Sequence, residues 1–214
     1  MAVVAGLIGL LLYTPIASFA WGMLGHRIVG QIAENHLNNK ARLAIRDILG
    51  NESIAMSANY ADFIKSDSTY KYLDSWHYIN FEPGLSYAGL QAYLQTDTTI
   101  DAYTKMQFLI AELKKKNLGQ DKKVFYLKLL IHFAGDVHQP MHSTATGDRG
   151  GNDLKVKWAG QPSNLHRVWD SDLIESQQLS YTEYAASLDH VTSAQKKLLQ
   201  SEPISKWLYD SYTI

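Results

Sequence analysis

The segment 121–138 reads DKKVFYLKLLIHFAGDVH, and from Val124 onward it is apolar on almost every side. A helix that is apolar all round belongs inside a protein, not on its surface. Asp121 can cap its start, and Pro140 stands just past its end. The sequence therefore predicts a buried central helix on which the rest of the chain must pack. Two of its residues do not suit an apolar interior, His132 and Asp136. Four positions apart on a helix, they lie on one face and can converge on one point. An ionised aspartate placed there needs a partner, either a buried histidine hydrogen bond or a metal ion.

Helical periodicity continues along the chain. Ile28, Val29, Ile32, Ala33 and Leu37 make a stripe that predicts a helix over 25–37. Further helices are expected over 41–49, stopped by Gly50, over 57–66, and over 98–116, closed by a basic last turn and Gly119. Others are expected over 165–175, 181–188, 193–199 and 204–212. The run HYINF at 77–81 is too short to assign, and Pro83-Gly84 ends it. The stretch GDRGGND is turn-rich, and DLKVKW after it alternates like a strand. No repeat, low-complexity tract or linker interrupts the chain, and 214 residues suffice for one domain with a real core. The expected fold class is all-α, a single multi-helix domain with a small β-hairpin.

Residues 1–20 stand apart. They carry no charge, with an apolar run over 3–13, then Pro15, then Ser18-Phe19-Ala20. Small residues at −3 and −1 mark a signal-peptidase site, although no Lys or Arg precedes the apolar run. The run is short for a membrane span. The expectation is a cleaved export signal over 1–20 and a mature domain over 21–214, secreted or periplasmic, beginning at Trp21 and free of the membrane.

Charge and cysteine usage narrow the chemistry. Twenty Lys and Arg against 21 Asp and Glu leave a net charge of −1. That argues against a protein that coats nucleic acid electrostatically, but not against one whose metal ions supply positive charge. There is no cysteine, so thiolate metal sites and disulfides are excluded. A metal site must use His, Asp, Glu and backbone groups. Among the eight histidines, His132 and His166 each have an aspartate four residues on, Asp136 and Asp170. The first pair belongs to a longer run, His132-FAG-Asp136-V-His138-QPM-His142, with four candidate ligands in eleven residues. His138 could ligate, or orient a ligand from behind. His36 and His190 read as ordinary helix residues. Lys65 stands one helical turn after Asp62 and shares its face.

HFAGDVHQPMH resembles the central motif of the zinc-dependent type I nuclease family, the single-strand-preferring nucleases and 3′-nucleotidases of fungi and plants and their bacterial relatives. WGMLGHRIVGQIAE (21–34), ANYADFIK (58–65), WHYINF (76–81), and GGNDLKV with NLHRVWD (150–156 and 164–170) resemble the family in the same order. The resemblance implies a helical fold, shared with the zinc phospholipases C, with three zinc ions at the bottom of a cleft. Trp21 would bind one zinc through its amino and carbonyl groups, together with His26. Asp62, His77, His132 and Asp136 would bind the second, with Asp136 bridging to the first. His142, His166 and Asp170 would bind the third. Lys65 matches a phosphate-contacting position, Tyr78 one that can stack on a base, and Asn152 or Asp153 one that can reach a base edge. The implied substrates are single-stranded DNA and RNA, cut by a monomer to 5′-phosphate ends, with 3′-nucleotidase activity alongside.

Two departures stand out. Asn80 replaces an aspartate found in many members, and an amide cannot act as a general base. The chain also ends at Ile214, where the family normally continues with further helix. Two other readings are a lipid phosphodiesterase like the zinc phospholipases C and a non-catalytic zinc-binding protein. Asp170, where the phospholipases carry a glutamate, favours the nuclease.

Overall fold

A computed structural model describes residues 21–214; the expected export signal lies outside the described residues. Helix α1 (Met23–Asn35) starts at Gly22 and buries Gly25, His26, Ile28 and Gly30. Helix α2 (Asn39–Leu49) is capped by the Asn38 side chain, which accepts the Ala41 N–H, and Gly50 terminates it in a left-handed conformation.

The helix expected over 57–66 is in fact two short ones, α3 (Ile54–Ser57) and α4 (Tyr60–Ile64). The break falls at Asn59, a fully buried residue whose amide donates to the Met23 carbonyl at 3.2 Å. That bond satisfies the buried Asn59 amide nitrogen and ties the break to the start of α1. A 3-10 segment, Ser68–His77, follows, started by the Asp67 side chain on the Thr69 N–H. It leads into strand β1 (Ile79–Phe81), and Ser86 then caps α5 (Tyr87–Thr96), which buries Leu90 and Leu94. The sequence pattern predicted neither the 3-10 segment nor α5. Helix α6 (Ala102–Leu113) begins four residues later than expected, where Asp101 and Thr104 form a reciprocal capping box.

Helix α7 (Gln120–Asp136) is the central element, packed against α1, α2, α4 and α6. Its second half is the buried half, with Leu129, His132, Phe133, Gly135 and Asp136 inside. The turns from Val124 to Lys128 are only half-buried, so an apolar circumference overstates burial near the start. Strand β2 (Ser143–Ala145) pairs in parallel with β1, from Ile79↔Ser143 to Phe81↔Ala145. The expected hairpin is β3 (Lys155–Trp158) with β4 (Gln161–Asn164), antiparallel, Lys155 opposite Asn164.

The helix expected over 165–175 exists with a defect inside it. α8 (Leu165–Arg167) runs into a π turn over Val168–Asp172 and out as α9 (Leu173–Glu175). Such π turns often sit at functional sites, and this one contains Asp170. Helices α10 (Tyr181–Leu188), α11 (Ser193–Ser201) and α12 (Ile204–Tyr212) complete the all-α fold. The core joins Leu73, Ile79 and Phe81 to Leu109, Leu129, Phe133 and Leu208. No helix among the described residues is long and apolar enough to cross a membrane.

Candidate metal centre

The buried end of α7 brings the widely spaced histidines and aspartates together. Asp136 is fully buried, and imidazoles surround its carboxylate. His77 Nδ1 lies 3.0 Å and His132 Nε2 3.3 Å from Oδ2, and His26 Nε2 lies 3.4 Å from Oδ1. Asp62 approaches from α4, with Oδ2 3.9 Å from His26 Nε2 and Oδ1 3.9 Å from His132 Nε2. On the far side, His166 Nε2 is 3.0 Å and His142 Nε2 3.9 Å from Asp170.

Backbone carbonyls set the ring orientations. His132 Nδ1 donates to Ala58 O at 2.6 Å, His142 Nδ1 to His77 O at 2.7 Å, and His166 Nδ1 to Gly150 O at 2.7 Å. A carbonyl can only accept, so in each ring Nδ1 carries the hydrogen and Nε2 is left for the cluster. Two glycines make this packing possible. A Cβ on Gly135 would stand 3.0 Å from His26 Nδ1, so any larger residue there would press the His26 ring away from α7 by a few tenths of an ångström. Gly150 has φ +63°, and a Cβ there would meet the Met141 carbonyl at 2.4 Å.

Burial decides the protonation states. It pushes His26 and His142 well below the usual imidazole range, with repulsion between neighbouring imidazoles adding to it. It carries His77 down to about 4 and lowers His132. Burial raises the Asp136 carboxyl well above its ordinary value against the pull of His132. At His166, burial opposes protonation, but the Asp170 hydrogen bond and charge outweigh it and raise the pKa. Neutral imidazoles around carboxylates that resist ionising are what a cation would need and relieve.

Three groups have the geometry for an ion: His26 with Asp62 and His132, His77 with His132 and Asp136, and His142 with His166 and Asp170. Within each, one ligand atom per residue lies within 4.8 Å of the others, and every residue is buried. Both His26 nitrogens, Asp62 Oδ2, His77 Nε2, Asp136 Oδ1 and His142 Nε2 are buried with no hydrogen-bond partner. Orphaned polar atoms at that density are expensive unless something else satisfies them. Nitrogen and carboxylate donors without thiolate suit a borderline cation such as zinc. The residues present fit a metal cluster.

Trp21 lies beside it. Its indole donates to the Gly135 carbonyl at 2.9 Å, and the Gly22 N–H donates to the Asp170 carbonyl at 2.7 Å. Above the cluster opens a cleft of about 870 Å³, lined by Lys65, Tyr78, Asn80 and Asn152. Lys65 Nζ is 2.7 Å from Asp62 Oδ1. Asn152 uses its amide hydrogens within its own turn, on Arg149 O at 2.9 Å. Asp153 is not part of the lining and faces Arg149 at 3.5 Å.

His138 is neither ligand nor support. It donates to Ala134 O and packs against Trp207 at 5.2 Å, outside the centre, because two residues past α7 the chain has turned it outward. His36 caps α1 and bonds Asp189. Sequence reasoning passed over Gln139, which is fully buried, accepts the Met141 N–H and donates to Asp170. It also passed over Phe63, Arg149 and Gly150; position next to a candidate ligand or inside the GlyGly turn was the available signal.

The S1/P1 Nuclease family matches residues 21–214. The chain belongs to the S1/P1 nuclease family. Among its relatives, "Endonuclease 2" of Arabidopsis thaliana is 28% identical over 212 residues, covering 92% of this chain and 71% of that protein. "Endonuclease 5" of the same plant is 30% identical over 206 residues, covering 90% and 67%. "Nuclease S1" of Aspergillus oryzae is 28% identical over 183 residues, covering 77% and 58%. S1/P1 nucleases are phosphodiester hydrolases, and a cleft floored by three His/Asp groups is a site at which such chemistry can be done.

Proposed function

We propose that the chain is a zinc-dependent phosphodiesterase that hydrolyses single-stranded DNA and RNA, exported and freed of residues 1–20, and active as a monomer. The observation that carries the reading is the convergence of buried His and Asp atoms, many without partners, at the floor of one open cleft. Trp21, through its freed amino group and its carbonyl, would hold one ion with His26 and Asp136. Asp62, His77, His132 and Asp136 would hold a second, and His142, His166 and Asp170 a third. When bound, such ions neutralise charge on phosphoryl oxygens and make water acidic enough to attack near neutral pH.

The remaining work belongs to the chain's own side chains. Lys65 places a positive charge at the cleft wall, where a phosphate would lie. Asn80 cannot take a proton, but its amide can orient water or substrate by hydrogen bonding. Tyr78 is 43% exposed in the cleft and offers a face on which a base can stack. Stacking needs a base free of its duplex partner, which is the physical reason for a single-strand preference. Asn152 Oδ1 can accept a hydrogen bond from a base edge, with Asp153 beside it.

The test is turnover of a single strand, the same sequence as a duplex, and a phosphatidylcholine emulsion, at one salt concentration, with and without chelator. Single strands should be cut at least tenfold faster than duplex, the lipid not at all, and chelation should stop the reaction. Equal rates on both nucleic acids, or activity that survives chelation, would overturn the reading.

A further inference from the structure

Phe63 is 53% exposed, although it follows directly on Asp62, which is 4% exposed. Its ring lines the cleft, and among the described residues it stacks on no other aromatic ring. Exposed apolar side chains are common on this surface, but Phe63 is one that lies in the wall of the site, where a ligand can cover it. Met23 lines the same cleft and is also 53% exposed. The two positions are tied together by Asn59, whose amide donates to Met23 O at 3.2 Å and whose carbonyl accepts the Phe63 N–H at 3.1 Å. α1 and α4 thus each contribute one exposed apolar side chain to the cleft.

Tyr78 is placed in the same way in this cleft. Tyr78 follows His77 as Phe63 follows Asp62, with the acid or imidazole turned in and the ring turned out. Asp62 and His77 belong to two groups that share His132, so each ring is anchored next to a ligand of adjoining groups. Consecutive Cα atoms are about 3.8 Å apart, so each ring is tethered close to the cluster and within reach of a base next to a phosphate held there. Lys65, two residues after Phe63, adds the positive charge that a strand's phosphate would need on this wall.

We propose that Phe63, in the cleft that Met23 also lines, is a second base-stacking subsite, which takes an unpaired nucleobase of the strand at a different nucleotide from the one Tyr78 serves. The proposal rests on the reading of the cleft as a polynucleotide site. It predicts that the enzyme senses bases at two positions of the strand, so that strands are better substrates than single nucleotides.

A double-mutant cycle between protein and substrate tests it. Zinc-loaded wild type, Phe63→Ala, Phe63→Trp and Tyr78→Ala are given short single-stranded DNAs with one abasic nucleotide at each position in turn. The kcat/KM at each phosphodiester is read by end-label mapping. Stacking on an aromatic side chain is worth about 1–3 kcal/mol per base, so one abasic position should cost wild type about tenfold at the bond a fixed offset away. Phe63→Ala should lose about the same on the intact strand and nothing more on that abasic strand. Phe63→Trp should restore activity, and Tyr78→Ala should couple to a different offset. Zinc content equal to wild type separates lost stacking from a damaged cluster. Additive losses at every position, or coupling at the Tyr78 offset, overturn the second subsite while the nuclease reading stands. A zinc-loaded wild type that cuts no strand sinks both.

Discussion

Asp136 stands within 3.4 Å of three imidazole nitrogens from α1, α7 and the 3-10 segment, and has no exposure to water. Its two oxygens face different histidines, Oδ1 toward His26 and Oδ2 toward His77 and His132, so it stands between two of the groups, which share His132. Asp136→Asn keeps the shape and removes the charge that would offset a cation. Its predicted effect is loss of measurable hydrolysis and of bound metal, read by turnover and elemental analysis together. Retention of full metal content with activity within tenfold of wild type would contradict the role given to it. Asn80 makes the contrasting case. It is exposed on β1, in the cleft but outside all three groups. General-base assistance is typically worth about 10²–10⁴ in rate. If the ions alone make water reactive enough, Asn80→Asp should change kcat by less than tenfold. A hundredfold gain would mean that the natural residue leaves the enzyme short of a base.

At the scale of elements, the centre depends on what holds the far end of α7. Leu208 of α12 is fully buried in the main core, and Ser211 Oγ donates to Val137 O at 2.7 Å, one residue past the helix that carries Asp136. Tyr212 extends the same anchorage, donating to Glu82 O at 2.8 Å and accepting the Leu85 N–H at 3.0 Å. Leu208→Ala opens a cavity where α12 meets this core. Large-to-small changes at such positions cost about 2–5 kcal/mol, and urea unfolding followed by tryptophan fluorescence should register a loss of that size. A loss under 1 kcal/mol would mean that α12 is peripheral to the domain. The missed elements teach the same lesson about scale. α5 carries only Leu90 and Leu94 as its buried pair, too sparse a stripe for periodicity to find, and its start is set by Ser86. The break between α3 and α4 falls at Asn59, whose partner Met23 lies 36 residues away in sequence, beyond the reach of local periodicity.

Across the whole molecule, candidate ligands run from His26 to Asp170 and come from six separate stretches of backbone. Metal binding should therefore be coupled to folding, since no such site exists in the unfolded chain. An ion present at a hundred times its dissociation constant adds about 2.7 kcal/mol of stability. About 1 kcal/mol moves Tm by roughly 2–4 °C in a domain of this size. Chelation should lower Tm by about 10 °C or more, and zinc should restore it, with about three ions per chain by elemental analysis. A folded, zinc-equilibrated sample containing no zinc would end the metal reading.

The sequence alone determined a good deal here, for a physical reason. Ligand spacing within one helix is local, so His132 with Asp136 and His166 with Asp170 are legible as i, i+4 pairs, and an apolar stretch that contains them announces where the interior is. The lack of cysteine settled the donor chemistry, and the five motifs pointed to the family. What only the tertiary structure decided is which groups meet and which way they face. That His138 turns out to Trp207 while Gln139, its neighbour, turns in to Asp170 depends on where the chain bends after α7. That Gly135 has little room for a larger side chain depends on a histidine more than a hundred residues earlier. On α4, Asp62 is buried at the cluster while the next side chain, Phe63, is left exposed in the cleft, a division that no sequence pattern showed. Local periodicity reports what a segment can become; packing against distant segments decides which of its side chains reach the site.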